Sequence, residues 1–178
     1  KEIAATKKKK AVERSSIDQR IDYRWIDLRT DENQLMFKAQ SCFVNAMRKF
    51  LLDRNFIEIH TPKLIAAASE SGSEVFKVDY FDRNAYLAQS PQFYKQMAMA
   101  AGFERIFETG PVFRAEKSYT NKHSTEFSGF DLEFSYITSY KDVMKMEEEL
   151  LTAGLQAVKD NYGDQIKEMF GQEVIVPT

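Results

Sequence analysis

The sequence predicts an α+β domain in which long helices flank a largely antiparallel sheet. Two observations support this prediction. Two long stretches have the apolar periodicity of amphipathic helices, and several short segments rich in β-branched and aromatic residues lie between them. Of the 178 residues, 43% are apolar and 13% are aromatic, which is enough for a packed core. The length fits one domain or part of a larger one.

Charge and cysteine content narrow the class of protein. The formal net charge is only -2, so bulk charge gives no reason to expect nucleic-acid binding. Cys42 is the single cysteine, which excludes an internal disulfide framework and fits a reducing, cytoplasmic compartment. No apolar run approaches the roughly 20 residues that span a membrane, so no membrane partner is expected.

The charged start of the chain, "KEIAATKKKK", lacks the apolar segment that a secretory signal requires. Residues 1–20 are expected to form a charged arm or linker, and residues 21–178 are expected to form the domain. Whether the four lysines touch RNA stays open.

A long amphipathic helix is predicted to begin at Thr30 or Asp31, either of which can cap it. Apolar residues then recur at helical spacing to about Arg54. The next segment, "NFIEIHTP", is typical of a short strand ended by Pro62. A proline at this position fits an edge strand or an interface.

The middle of the chain predicts a hairpin followed by a helix. After a loop of small polar residues, "VFKVDY" and "AYLA" are expected to pair through the turn "FDRN". The helix "QSPQFYKQMAMAAG" has Ser90 as its expected cap and Gly102 just past its end. Helical spacing puts Gln92, Lys95 and Gln96 near one another.

Two further strands and a second long helix are predicted after this point. The strand "RIFETGPVFRAE" is expected to carry a bulge at Gly110 and Pro111. The strand "EFSGFDLEFSY" comes next. A capping box in "SYKD" then opens a helix from Ser139 to about Asp160, and two short elements are expected to follow it.

The last predicted strand has two contrasting faces, because side chains alternate along a strand. The expected core face consists of Phe130, Leu132, Phe134 and Tyr136. The other face carries Phe127, Gly129, Asp131, Glu133 and Ser135. A ring, a bare backbone patch and two acids in succession could form the floor of a polar pocket. An ordinary solvent-exposed strand face could carry the same residues.

Cationic side chains follow the preceding strand. The guanidinium of Arg114 suits a pair of phosphate oxygens, and Glu116 is expected on the same face. The loop after them adds Lys117, Lys122 and His123, which could meet a polyphosphate. There is no Gly-rich phosphate loop, no cysteine–histidine metal cluster and no nucleophile–histidine–aspartate pattern.

These segments together resemble the class II aminoacyl-tRNA synthetases. "VFRAE", the loop with His123 and "TEFSGFDLE" are similar to motif 2, while the first long helix with "IEIHTPKL" is similar to motif 1 and its dimer-interface proline, here Pro62. "SESGSEVF" and "YLAQSPQFYKQ" resemble the aspartate-specific members of archaeal and eukaryotic type. The resemblance begins at about Ile21 and implies a class II catalytic core that is incomplete at its C-terminal end.

The resemblance implies a role for individual residues in activating L-aspartate with ATP and passing it to tRNA(Asp). The aspartate-binding residues would be Glu70, Gln92, Lys95, Arg114 and Asp131. The ATP-binding residues would be Arg114, Ala115, Glu116, Lys122, His123, Ser124 and Phe127. Arg114 would be catalytic, because it would grip the α-phosphate, and Phe127 would stack on adenine. Glu133 would support the polar network around Lys95.

The implied chemistry needs no general base, because the attacking carboxylate is already ionised. It needs positioning and cations instead. Motif 3 and the Mg²⁺ ligands would lie downstream of residue 178, so no metal site is expected in this chain, and the chain alone is expected not to form aspartyl-adenylate at a useful rate. A homodimer is expected through motif 1. Ser71 stands where the family more often has glycine, which is expected to stiffen the loop.

Two alternatives remain. An asparagine-specific synthetase is disfavoured by Lys95, because an ammonium favours a carboxylate over an amide. A lysine-specific enzyme is disfavoured more strongly, because its pocket needs acids at the position where this chain has Lys95. A non-catalytic relative kept for dimerisation or RNA binding would equally lack motif 3.

Overall fold

A computed structural model describes residues 15–67, 74–117, 120 and 122–177. It confirms the α+β class. The helices are α1 Ile17–Asp22, α2 Arg24–Asp27, α3 Asp31–Leu52, α4 Gln92–Ala100 and α5 Tyr140–Phe170. The strands are β1 Ile57–Glu58, β2 Leu64–Ile65, β3 Lys77–Tyr80, β4 Arg83–Leu87, β5 Arg105–Phe113 and β6 Glu126–Phe134.

The first sheet has the order β1-β5-β6. β1 runs parallel to β5, and β5 and β6 are antiparallel in unbroken register from Arg105 opposite Phe134 to Phe113 opposite Glu126. The predicted bulge at Gly110 and Pro111 is therefore wrong. The N–H of Phe113 points away from β6, to the carbonyl of Ala88, and residues two apart share direction. The nitrogen of Pro111 therefore also points away from β6, so the missing N–H removes no bond between the two strands.

The second sheet has the order β2-β4-β3, and all its pairs are antiparallel. The predicted hairpin is confirmed, but its connection is only the two residues Phe81 and Asp82, because Arg83 already pairs with Tyr80. Backbone bonds at Ala88 link the two sheets: its N–H donates to the carbonyl of Lys63 and its carbonyl accepts from the N–H of Phe113, both at 2.9 Å.

The core lies between the first sheet and the helices α3 and α5. Its buried members are Met47, Leu51, Phe56, Phe107 and Leu150. Phe130, Leu132 and Phe134 pack against them, as their alternation along β6 predicts. Tyr136 was predicted on the same face, and that prediction is wrong. β6 ends at Phe134, and Tyr136 has a φ of 61°, which breaks the alternation and leaves the side chain 85% exposed.

The helix ends follow local capping signals in most places. The hydroxyl of Thr30 caps α3, and the capping box of Ser139 with Asp142 opens α5. α5 then continues ten residues past its predicted end to Phe170, where Gly171 adopts a φ of 67° and terminates it. Residues 171–177 contain no helix or strand, so the two short elements expected after α5 are not found in them.

Two further details differ from expectation. The N-cap of α4 is Pro91 rather than Ser90, although the hydroxyl of Ser90 accepts a 3.3 Å bond from the N–H of Gln92. α1 begins inside the predicted arm, with a capping box formed by Ser16 and Gln19. The lysine run lies outside the described residues. No helix in the described ranges has both the length and the apolar character that crossing a membrane requires.

Candidate active site

The floor of the candidate site is the face of β5 and β6 opposite the core. Gly110 and Gly129 face each other there. An ideal Cβ at Gly129 would contact the Asp131 carboxylate at 3.5 Å and Val112 at 3.8 Å, so the space above this glycine is bordered by side chains but not filled. The paired glycines therefore form a bare backbone patch.

Lys95 stands over one end of this floor. It projects from α4, is only 4% exposed, and donates to the Asp131 carboxylate at 2.6 Å. Its ammonium also lies 3.5 Å from a carboxylate oxygen of Glu133. A buried ammonium is tolerated here because two carboxylates compensate its charge. The Lys95 ammonium has three N–H donors. It can bind an anionic ligand only if at least one of them is directed to the ligand and not to Asp131 or Glu133.

Arg114 lies at the other end, just past β5. Its N–H donates to the carbonyl of Thr125 at 2.9 Å, which fixes its backbone beside the start of β6. Its guanidinium carbon is 5.6 Å from the centre of the Phe127 ring. The Nε atom is buried and has no partner among the described residues. Since buried donors are almost always paired, this atom points to a bound acceptor such as an anion oxygen.

The two ends lie on one face of one strand. Phe127 and Asp131 are four residues apart on β6, which corresponds to about 13 Å at the usual rise of a strand. The Phe127 ring remains 39% exposed, so part of it is open to a planar ligand. The geometry therefore fits an elongated ligand with an aromatic and anionic part near Arg114 and a small acidic part near Lys95.

The structure describes most of the other predicted site residues. Gln92 lies half-buried at the first position of α4, one turn before Lys95. Ala115 donates its N–H to the carbonyl of Glu74 at 3.0 Å, and Glu116 is half-buried beside it. Arg114 and Glu116 were expected on one face of a strand, but β5 ends at Phe113.

The remaining predicted residues are exposed or undescribed. Lys122, His123 and Ser124 are exposed, and the ring of His123 bonds with the hydroxyl of Thr120 at 2.7 Å. Pro62 is exposed. Glu70 and Ser71 lie outside the described residues.

A buried acid on the same floor was missed at the sequence level. Glu108 is 3% exposed and accepts bonds from the N–H of Thr61 at 2.8 Å, from its hydroxyl at 2.7 Å and from the Lys63 ammonium at 2.9 Å. Burial would by itself raise the pKa of Glu108, but the Thr61 bonds and Lys63 outweigh it and hold that pKa below its ordinary value. The signal in the sequence was an acid inside an apolar strand, two residues before Gly110.

No group of three or more His, Cys, Asp or Glu side chains in the described ranges is arranged to hold a metal ion.

Comparisons with known proteins identify the family. The family described as "tRNA synthetases class II (D, K and N)" matches residues 16–174. The aspartate–tRNA(Asp/Asn) ligase of Methanopyrus kandleri is 49% identical over 155 residues, which are 87% of this chain and 36% of that protein. The cytoplasmic aspartate–tRNA ligase of Homo sapiens is 46% identical over 150 residues, 84% of this chain and 30% of that protein.

Solved structures agree with these relatives. The asparaginyl-tRNA synthetase of Pyrococcus horikoshii, complexed with asparaginyl-adenylate, matches with a TM-score of 0.81 and 36% identity, covering 86% of this chain and 35% of that one. The aspartyl-tRNA synthetase of Entamoeba histolytica matches with a TM-score of 0.75 and 38% identity, covering 93% of this chain and 30% of that one. The chain spans about a third of the length of the relatives it matches. With the family matched over residues 16–174, the chain belongs to the class II tRNA synthetases of the aspartate, lysine and asparagine group.

Proposed function

We propose that this chain is the part of an aspartate–tRNA ligase that holds L-aspartate and ATP while aspartyl-adenylate forms. The observation that carries the proposal is the buried Lys95 ammonium, held by Asp131 and Glu133 on the same face of the sheet as Arg114 and Phe127. An ammonium at this place suits the side-chain carboxylate of aspartate. The names of the relatives from Methanopyrus kandleri and Homo sapiens support the same substrate.

At the amino-acid end, Lys95 binds the side-chain carboxylate of aspartate, and Asp131 orients Lys95. Glu133 adds a second carboxylate, 3.5 Å from the ammonium, that helps to hold it in place. Gln92, one turn earlier on α4, contributes an amide beside the substrate. Glu70 holds the substrate ammonium.

At the nucleotide end, Arg114 binds the α-phosphate through donors that include its unpartnered Nε. Phe127 stacks on adenine with its exposed ring face. Ala115 and Glu116 border the base, while Lys122, His123 and Ser124 lie in the loop that meets the outer phosphates and the tRNA end. The partnerless donor and the exposed ring are the observations that support a nucleotide here.

The proposed reaction has two steps. A carboxylate oxygen of aspartate attacks the α-phosphorus of ATP, the bond to the bridging oxygen breaks, and pyrophosphate leaves with the electron pair. A ribose hydroxyl at the tRNA end then attacks the acyl carbon, AMP leaves, and the hydroxyl proton is released. Arg114 stabilises the negative charge that grows on the phosphate, and Lys95 fixes the distance and direction of attack.

Several features of the whole enzyme belong to the same proposal. Mg²⁺ would neutralise phosphate charge, and its ligands are proposed to lie downstream of residue 178. Residues 1–20 serve as an arm and 21–178 as the N-terminal part of the catalytic domain. The enzyme is a homodimer with Pro62 at the interface, it acts on tRNA(Asp), and it is cytoplasmic, like the relative from Homo sapiens.

An asparagine-specific synthetase is the second candidate, because the Pyrococcus horikoshii enzyme is similar in structure. Lys95 distinguishes the two candidates, because a buried ammonium binds the carboxylate of aspartate more strongly than the amide of asparagine. A relative kept only for dimerisation or RNA binding would show no amino-acid activation at all.

The proposal is tested in the full-length protein by ATP–pyrophosphate exchange with aspartate and with asparagine. Lys95→Met should lower kcat/KM for aspartate by about 100-fold, because a buried charge-assisted contact is lost. Lys145→Met, at an exposed lysine 3.9 Å from Glu149, is the matched control and should leave it unchanged. Exchange that depends on asparagine, or no exchange with either amino acid, would contradict the proposal.

A further inference from the structure

A row of four charges crosses the floor of the candidate site. Glu108 and Asp131 are direct partners on β5 and β6, and their side chains lie on the same face. Like charges in such pairs repel, because their Cβ atoms are only about 5 Å apart. Each carboxylate has its own ammonium: Lys95 at 2.6 Å from Asp131 and Lys63 at 2.9 Å from Glu108.

Glu108 is built to stay ionised. It is almost fully buried, and two bonds from Thr61 stabilise its charged form in addition to Lys63. A buried charge acts over a longer distance than one in water, because the surrounding dielectric is low. If Lys63 did not neutralise it, the charge of Glu108 would be felt at Asp131 and Lys95.

Lys63 is held over the glycine floor. Its ammonium would lie 3.7 Å from a Cβ at Gly110, and it also donates to the hydroxyl of Thr61 at 3.1 Å. It enters the site from the segment between β1 and β2, whereas Lys95 enters from α4. The two ammonium groups therefore come from separate elements and meet at one pair of facing strands.

We propose that Lys63 is a specificity-determining positioning residue, which neutralises Glu108 so that this acid does not repel the carboxylate bound by Lys95. The inference rests on the proposed function, in which that carboxylate is the side chain of aspartate. With Lys63 in place, two ammonium groups face the carboxylates of Glu108, Asp131 and Glu133. Without it, a single ammonium faces all three, and an acidic substrate is bound less tightly.

A simpler role for the pair makes a different prediction. If Lys63 and Glu108 only fasten the Thr61–Lys63 segment to the sheet, removal of either side chain disturbs the site in the same way. If the role is electrostatic, the two removals act in opposite directions. Loss of Lys63 leaves an extra negative charge, and loss of Glu108 leaves an extra positive one.

The test measures KM for L-aspartate and kcat in the full-length protein, by ATP–pyrophosphate exchange at saturating ATP and low salt. Lys63→Gln should raise KM for aspartate about tenfold with a smaller change in kcat, as expected for one uncompensated charge at short range in a low dielectric. Lys63→Arg should stay near wild type. Glu108→Gln should leave KM equal to or below the wild-type value, and the double variant Lys63→Gln, Glu108→Gln should return KM to within about threefold of it.

The matched control is Arg48→Gln. It breaks the 2.9 Å pair of Arg48 with Glu58, which ties β1 to α3 on the opposite face of the same sheet. KM for aspartate should not change in this variant, although thermal stability should fall slightly.

The inference is overturned if Lys63→Gln keeps KM within twofold of wild type, or if Glu108→Gln raises it as much as Lys63→Gln does. If Lys63→Gln does not fold, the inference is tested with Glu108→Gln and the double variant. Both must have a KM for aspartate near or below the wild-type value, and a clear rise in either overturns the inference. Failure of the proposed function is distinguishable, because the wild-type protein itself would then show no aspartate-dependent exchange. The inference rests on that function and would be rejected together with it.

Discussion

Individual charges on the floor of the site differ in whether they already have partners. Lys95 and Lys63 are each paired with a carboxylate, whereas the buried Nε of Arg114 has no partner in the described part of the chain. A paired cation keeps its place before a ligand arrives. An unpartnered buried donor is costly until an acceptor reaches it, by about 1–3 kcal/mol. Ligand binding should therefore stabilise the Arg114 end of the site more than the Lys95 end.

Glu108 should make stability depend on pH. Its pKa is lower in the folded than in the unfolded chain, so its contribution is complete above the ordinary glutamate value near 4.3 and is lost as pH falls through the lower, folded value. Glu108→Gln should lower the free energy of unfolding at pH 7 by about 3 kcal/mol, since it breaks a buried pair. The difference from wild type should shrink in acid. Urea unfolding of both proteins between pH 7 and pH 3 measures this, and a constant difference across that range would refute it.

At the level of helices and strands, short-range sequence signals were sufficient to predict some elements but not others. The caps of α3 and α5 and the hairpin of β3 with β4 follow from residues close in sequence, so they could be predicted. The contacts of the candidate site were harder to predict, because they join residues that are far apart in sequence. Lys95 with Asp131 was expected only through the family resemblance, and Glu108 was missed because its partners Thr61 and Lys63 lie 47 and 45 residues away. The predicted end of α5 near Asp160 lies just before Gly163, which the helix accommodates in its interior before Gly171 terminates it.

The contact between α3 and α5 depends on one such glycine. A Cβ at Gly154 would lie 2.6 Å from the ring of Phe43 and 3.1 Å from Met47. Gly154→Ala should therefore destabilise the chain by about 1–3 kcal/mol, because overpacking outweighs the gain in helix propensity. Gly163→Ala on the same helix is the control, since its nearest neighbour is Lys159 at 3.7 Å, and it should stabilise by up to about 1 kcal/mol. Thermal unfolding measures the stability of both variants. Equal stabilisation by Gly154→Ala and Gly163→Ala would contradict the packing argument.

For the molecule as a whole, several large apolar side chains are left in contact with solvent. They include Trp25, Ile57 and Leu64, and the last two flank the exposed Pro62 in sequence. Exposed apolar side chains on both sides of Pro62 in sequence are compatible with an interface at this segment. They support the proposed homodimer, in which a second copy would cover the segment around Pro62.

The last prediction concerns the isolated 178-residue chain. It should show no aspartate-dependent ATP–pyrophosphate exchange above background, although the full-length protein should show it in the same assay. Transfer between two anions requires several cations around the phosphates. At the nucleotide end, the described residues offer the half-buried Arg114 and the exposed Lys122 and His123, and none of them forms part of a metal-binding group. Lys95 is already shared between two carboxylates. Measurable exchange by the purified chain, abolished by Arg114→Ala, would show that these groups alone complete the site.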